Sequence, residues 1–207
     1  MHTIYAFVTG PLAWAAFAVF FLGLAGRFIQ VFLLARKTDS GVFHYLNLKY
    51  AVRSITVWSI PFATHNMRRH PYMTVIAFTF HLAMFAVALF VPAHVMMLKQ
   101  SPLGLSWWMM DHAWADGLTL CINAFLVCFT VGRLLTLEAR SATRLTHYIL
   151  LAITAAPFVT GFLAYHQIFD YQLMVILHVL SGEIVLMAIP FTWLNHMIMA
   201  PLIRAYM

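Results

Sequence analysis

Eleven histidines stand in a chain of 207 residues that is 63% hydrophobic. An imidazole inside an apolar segment must find a partner, which makes each one a candidate for ligand or proton chemistry, or, taken singly, for an interhelical hydrogen bond in a packed bundle. Four of them have spacings that matter. His178 and His196 lie 18 residues apart in one apolar segment, which on an uninterrupted helix is five whole turns, about 27 Å, along a single face. His81 and His94 lie 13 apart in another segment, about 19.5 Å along its axis. If the two segments run antiparallel, His94 is level with His178 and His81 with His196. Two pairs of facing imidazoles at two depths are what two haem irons require, because each takes two axial ligands from opposite sides of its ring. Thirteen residues make about 3.6 turns, so His81 and His94 point about 140° apart on a straight helix. Pro92 lies between them and can kink or rewind the last turn. A rival pairing of His70 with His81 shares one face but fails on depth, because His70 precedes Pro71 beside Arg68 and Arg69, at the water interface.

The elements that must position these side chains are legible in the composition. Only 9% of the residues are charged, against about 25% in an ordinary soluble domain, which excludes a soluble globular protein. Lys and Arg number 12 against 6 Asp and Glu, a formal charge of +6. They form no basic face with interleaved polar residues that could track phosphates, so nucleic acid is not the expected partner. Apolar segments fall at about 4–35, 72–98, 113–137, 147–165 and 171–200, each long enough for a bilayer. Nothing between them is long enough to fold independently. The expected architecture is therefore all-α: an integral membrane five-helix bundle, a single domain over 1–207. Basic loops stay in the cytoplasm. The first connection carries Arg36, Lys37, Lys49, Arg53, Arg68 and Arg69, the second only Lys99, the third Arg140 and Arg144, the fourth only Asp170, and the C-terminus Arg204. That alternation places the N-terminus outside and the C-terminus in the cytoplasm of a prokaryotic inner membrane. The segment from Phe43 to Met67 reads as an amphipathic surface helix or docking platform, or else as a connecting loop with solvated charges. Met1 to Gly10 lacks the basic region and cleavage site of a signal peptide, so the first apolar segment is expected to stay in place. Cys121 and Cys128 form neither a CxxC site nor a disulfide framework and read as small buried hydrophobes.

Several stretches resemble a known family. They are FHLAMFAVALFVPAH (Phe80 to His94), ADGLTL (Ala115 to Leu120), RLLTLEARSATR (Arg133 to Arg144), TGFLAYH (Thr160 to His166) and LHVLSGEIVLMAIPFTWLNHM (Leu177 to Met197). They are similar to the membrane cytochrome b family typified by the gamma subunit of respiratory nitrate reductase, and most of all to related subunits of sulfate-reducer membrane redox complexes. The most specific element is the pair of histidines at the two ends of the last stretch, with SGE between them. The nitrate reductase pattern has a shorter histidine spacing on the second helix, which favours the sulfate-reducer branch. The resemblance implies two haem b groups, with His81 and His196 on the cytoplasmic-side iron and His94 and His178 on the outer-side iron. It implies a respiratory-chain function, passing electrons between membrane quinone, with menaquinone expected, and a cytoplasmic iron–sulfur partner subunit. The chain would be the quinone-reactive subunit of a multi-subunit oxidoreductase. It has no cysteine clusters to hold iron–sulfur centres of its own. An outer-face cytochrome c is a further candidate partner.

Quinone chemistry beside a one-electron carrier needs a hydrogen-bonding or acid–base group at the membrane surface. The outer side offers Lys99, Asp111, His112, Asp116, His166 and Asp170. Of these, Lys99, Asp116 and His166 are the expected catalytic groups, against the alternative that all are interfacial charges that snorkel into water. Arg133, Arg140 and Arg144 are placed to pair with haem propionates or anionic lipid, or simply to fix topology. Glu183, inside the last apolar segment, is costly unless paired or protonated; it could orient a ligand histidine or carry a proton. Gly161 and Gly182 would admit a macrocycle or a neighbouring helix. Two other functions keep the same helices: a haem-free membrane anchor, and a small proton- or metal-coupled transporter built on the intramembrane histidines and Glu183.

Overall fold

The computed structural model describes residues 2–38, 41 and 47–205, and among these every regular element is helical. The helices are α1 (His2–Thr38), α2 (Leu48–Ser59), α3 (His65–Arg69), α4 (Pro71–Phe90), α5 (Pro92–Gln100), α6 (His112–Leu135), α7 (Leu137–Ala142), α8 (Leu145–Tyr165), α9 (Tyr171–Ala188) and α10 (His196–Ala205). Five stretches are long and apolar enough to cross a membrane: α1, α4, α6, α8, and α9 with the turn that extends it to Phe191. That is compatible with a multi-pass membrane protein. Some helix starts carry side-chain caps. Thr64 Oγ1 accepts from the Met67 amide, and Asp111 accepts from Ala113, supplying partners to N–H groups that lack one inside the helix. In α1 one π-helical turn, Val8–Leu12, surrounds Pro11, where the missing N–H disturbs the regular ladder.

The chain divides into two compact units, one of residues 72–178 and one of residues 1–71 and 179–207. In the first, α6 packs against α8. Phe80, Ala83 and Val87 of α4 form a core with Ile122 and Leu126 of α6, bordered by Phe129, Leu151, Ala155 and Phe158. Other large side chains face outward; Leu82 is 74% exposed, an arrangement that lipid satisfies and water does not. Cys121 and Cys128 lie on such an outward face and are both exposed. This corrects the expectation of buried cysteines: seven residues is close to two turns, so both sit on one side of α6, and that side is not the packed one.

The second apolar segment is two helices rather than one. Val91 is extended (φ −62°, ψ 130°) and Pro92 begins α5. The break leaves the carbonyls of Ala88, Leu89 and Phe90 without their helical donors, since Pro92 has no N–H to offer Ala88. Each finds another. His94 Nδ1 donates to Ala88 O (3.0 Å), Trp107 Nε1 to Leu89 O (2.7 Å) and the Met110 amide to Phe90 O (2.8 Å). The loop before α6 is thus tied to the end of α4 by the bonds that α4 is missing.

In the other unit, α1 packs against the 3₁₀ turn Ile189–Phe191. A Cβ on Gly23 would come within 2.8 Å of Pro190 and 2.9 Å of Phe191, so only glycine permits this approach. Helix α2 packs against α10, with the Arg204 guanidinium 3.6 Å above the Trp58 ring, a cation–π contact. Of the segment from Phe43 to Met67, residues 43–46 lie outside the described residues; Leu48 to Ser59 is the helix expected there. The fifth apolar segment also departs from its expectation. α9 ends at Ala188, Thr192 is extended, a second 3₁₀ turn covers Trp193–Asn195, and His196 opens α10. Pro190 cannot continue the ladder. The inference that His178 and His196 share one face through five unbroken turns therefore does not apply.

Replacing Trp107 by Phe keeps the ring but leaves Leu89 O without its donor, at an expected cost of about 1–3 kcal/mol. Thermal unfolding of the detergent-solubilised protein should show a lowered midpoint for Trp107→Phe and little change for Trp114→Phe, at a side chain 72% exposed.

Candidate functional site

Helices α5 and α9 bring two imidazoles together. The rings of His94 and His178 lie 5.9 Å apart between centroids, with their planes 5° from parallel. An ordinary ring pair can sit at this distance, so the separation alone decides little. The tautomers say more. A carbonyl can only accept, so His94 Nδ1 must carry the proton it gives to Ala88 O at 3.0 Å, and His178 Nδ1 the one it gives to Pro157 O at 2.8 Å. In a neutral imidazole this makes Nε2 the nitrogen with the lone pair. Metal-ligating histidines commonly give their other N–H to a backbone carbonyl, which fixes both tautomer and ring orientation.

The notch that receives His178 is built from α8. Pro157 supplies the carbonyl, and Gly161, one turn later on the same face, leaves the space. A Cβ on Gly161 would meet Cε1 and Nδ1 of His178 at 2.9 Å each. Gly161 therefore admits a neighbouring helix's imidazole, one form of the close approach its type implied. Gly182 has nothing within 4 Å of its Cβ position, so no close approach occurs there.

The other two candidate ligands have the same hydrogen-bond signature. His81 Nδ1 bonds Ala77 O (2.7 Å) and His196 Nδ1 bonds Trp193 O (2.8 Å). His81 also meets Phe80 edge-on at 5.3 Å. These two histidines fall in different units, and each is described within its own. His147 Nδ1 lies 2.9 Å from the Arg144 amide and 3.2 Å from the Arg144 carbonyl, within the α8 cap.

Does this donor set fit haem? Two imidazoles on one iron need ring centroids roughly 6 Å apart, from two metal–nitrogen bonds of about 2.0–2.1 Å plus the distance from each nitrogen to its ring centre. The His94–His178 separation meets that requirement. Among the described residues no three His, Cys, Asp or Glu side chains gather to hold a bare metal ion. Two imidazoles alone suit an iron whose remaining ligands come from a macrocycle. His94 and His178 are residues of the type that could hold such a group.

A second cluster lies where α6 begins and α8 ends. His166 Nε2 and Asp116 Oδ1 are 2.8 Å apart, with the side chains 36% and 26% exposed. The Phe162 ring sits 4.3 Å from His166, and His112 lies parallel to Tyr165 at 6.2 Å. The structure therefore joins two of the three expected catalytic groups. Lys99, in the last turn of α5, makes no hydrogen bond or ion pair among the described residues. Asp111 and Asp170 prove to be helix caps, the latter accepting from the Leu173 amide at 2.7 Å. Arg133 Nη1 reaches only the Phe129 carbonyl of its own helix, at 3.4 Å. Glu183 is buried, and neither carboxyl oxygen has a partner among the described residues.

Sequence reasoning missed the carbonyls of Ala88 and Pro157. The first was readable: a proline four residues after a helical carbonyl marks an acceptor in need of a donor. The second was not, because it depends on which helix packs against α9.

A protein of Nitratidesulfovibrio vulgaris (strain Hildenborough) is 36% identical to this chain over 200 residues, which cover 95% of this chain and 88% of the relative. The chain belongs to the family of that protein. No family model matches the chain, and no solved structure matches it.

The notch makes a direct prediction. Gly161→Ala pushes a methyl into the His178 ring and should destabilise by about 1–3 kcal/mol, the usual cost of overpacking. Gly132→Ala, which has open space, should be neutral or slightly stabilising through helix propensity. Equal unfolding midpoints for the two variants would remove His178 from the notch.

Proposed function

We propose that this chain is a five-helix integral membrane dihaem cytochrome b, with its N-terminus outside and its C-terminus in the cytoplasm of a prokaryotic inner membrane. It resembles the nitrate reductase gamma-subunit family. In this reading it is the quinone-reactive subunit of a respiratory oxidoreductase and exchanges electrons between membrane quinone and a cytoplasmic iron–sulfur subunit. The observation that carries the reading is the His94–His178 pair: near-parallel rings 5.9 Å apart, each locked by an Nδ1–H bond to a backbone carbonyl. A structural histidine needs only one such bond. In both rings the same device leaves the lone pair on Nε2, the state in which an imidazole could bind a metal.

His94 and His178 would hold the outer-side haem, and His81 and His196 the cytoplasmic-side haem. Bound there, haem supplies one-electron oxidation and reduction. The protein's own part is to fix the ligand rings, through Ala88 O, Pro157 O, Ala77 O and Trp193 O, and to keep water from them with apolar helices. Proton handling falls to the α6–α8 corner. Asp116 holds His166 by Nε2, so Nδ1 is the ring nitrogen left to take a proton from a quinol hydroxyl or return one to a quinone oxygen. The ring of Phe162 offers a flat apolar wall for the quinone. The even outer connections carry few cations, whereas the odd ones are basic and suit an acidic face of the partner subunit.

A dithionite-reduced minus oxidised spectrum of the purified chain should give two b-type haems per protein. His94→Ala and His178→Ala should each remove one and leave the other, while His81→Ala and His196→Ala remove the second. A well-folded sample without haem would overturn the reading and favour the anchor or transporter. For the α6–α8 corner, Asp116→Asn and His166→Phe should lower quinol oxidation by about 10²-fold or more, the range for losing a general base, with haem content unchanged. Unchanged turnover would move the quinone site elsewhere.

A further inference from the structure

Arg27 has no part in the histidine pair or the quinone corner, yet it is the most unusual charge in the chain. The 23 residues from Ile4 to Gly26 contain no Asp, Glu, Lys or Arg. At 1.5 Å each they span about 34 Å, enough for a hydrocarbon core of about 30 Å. Arg27 is the next residue, so it falls at the edge of the hydrocarbon, toward the end of α1 that carries Arg36 and Lys37. That is the depth of lipid phosphates.

It lines a groove of about 700 Å³ between α1 and the turn around Pro190. Its Nη1 donates to Gln30 Oε1 at 2.7 Å, while its Nε is buried and has no hydrogen-bond partner. Gln30, with its oxygen engaged, keeps an amide N–H₂ to donate, and Asn195 adds another at the far wall. No Asp or Glu lines the groove. A guanidinium in these surroundings is costly until an anion compensates it, and a neutral polar ligand would not supply that compensation. Apart from Thr192 the remaining walls are largely apolar, Leu22, Gly26 and Phe191 among them, and Leu22 and Phe191 are 73% and 70% exposed. The groove thus joins an oxyanion site to an apolar channel open along a spanning helix.

We propose that this groove binds one anionic phospholipid. Its headgroup phosphate sits on the Nη groups of Arg27 and on the amides of Gln30 and Asn195, and an acyl chain lies along Leu22, Gly26 and Phe191. The inference rests on the membrane-spanning part of the proposed function and is independent of haem.

The test is a titration of the purified full chain in nonionic detergent with dioleoyl phosphatidylglycerol or dioleoyl phosphatidylcholine, read by native mass spectrometry. Phosphatidylglycerol should bind at least about tenfold more tightly, as charge-assisted hydrogen bonds to one anion allow. Arg27→Gln should reduce it to the level of phosphatidylcholine. Gly26→Leu provides the second arm: a Cβ there meets open space, leucine favours the helix, and its side chain fills the channel while leaving Arg27 in place. It too should abolish the preference, with helicity and unfolding midpoint retained. Equal binding of the two lipids, or a preference that survives Arg27→Gln, overturns the proposal. Displacement of bound phosphatidylglycerol by millimolar inorganic phosphate would overturn it in favour of a free-anion site. Loss of visible absorbance in Arg27→Gln with lipid binding intact would overturn it in favour of a cofactor carboxylate as the anion.

Discussion

A backbone carbonyl inside an apolar span cannot turn to water when its donor is missing, and leaving it unpaired is as costly as losing a hydrogen bond outright. Regular helix meets this constraint automatically until a proline removes an N–H. In this chain proline sits at the places that matter. Pro92 ends α4 and frees three carbonyls, which His94, Trp107 and the Met110 amide then fill. Pro157 lies inside α8 one turn before Gly161, and its carbonyl receives His178. Of the two ring anchors, the Ala88 carbonyl lacks a helical donor, whereas the Pro157 carbonyl lies inside a continuous helix and takes His178 as an additional donor.

Anchoring fixes the rings' chemistry as well as their position. A ring recruited as a donor through Nδ1 has its lone pair on Nε2, and it cannot rotate without giving up a bond worth about 1 kcal/mol net in water and more in an apolar setting. The two rings are held differently. His94 is tied to the break just before its own helix, so its place follows from local sequence. His178 is tied across to α8, so its place depends on the register of α8 against α9. Sliding α9 by one residue would shift the ring by 1.5 Å and turn it by about 100°, losing both the carbonyl and the notch. The pair is therefore also a lock on helix packing, and a ligand bound between the rings would add to a geometry the backbone already prefers.

This difference explains what the sequence could disclose. Hydropathy alone is enough to find five stretches long and apolar enough to cross a membrane. Helix breaks were harder to locate. Prolines inside apolar helices are tolerated when other groups take over the freed carbonyls, so Pro92, Pro157 and Pro190 look alike in sequence. Yet the chain stops its helix at the first, continues through the second and turns into 3₁₀ geometry at the third. The argument from His178 and His196 assumed an unbroken helix and fell to Pro190. The meeting of His94 with His178 did not rest on that assumption, only on the antiparallel run of two helices. Asp116 and His166, 50 residues apart, were both read as outer-surface groups; their contact, unlike their level, required the packing of α6 on α8. Lys99 was level with them but lies at the end of a helix that Pro92 had set on a separate course.

Stability does not account for the Asp116–His166 pair. A partly exposed ion pair contributes about 0–1 kcal/mol at most, and α6 and α8 already pack through Ile122, Leu126, Leu151 and Phe158. What partial exposure offers is exchange with water at a fixed point beside an apolar ring. The anchored histidines have the opposite character: their Nδ1 protons are committed to carbonyls within helices long and apolar enough to exclude water. The two kinds of imidazole thus differ in their surroundings: one is anchored to backbone carbonyls within apolar helices, the other on a partly exposed carboxylate at the start of α6.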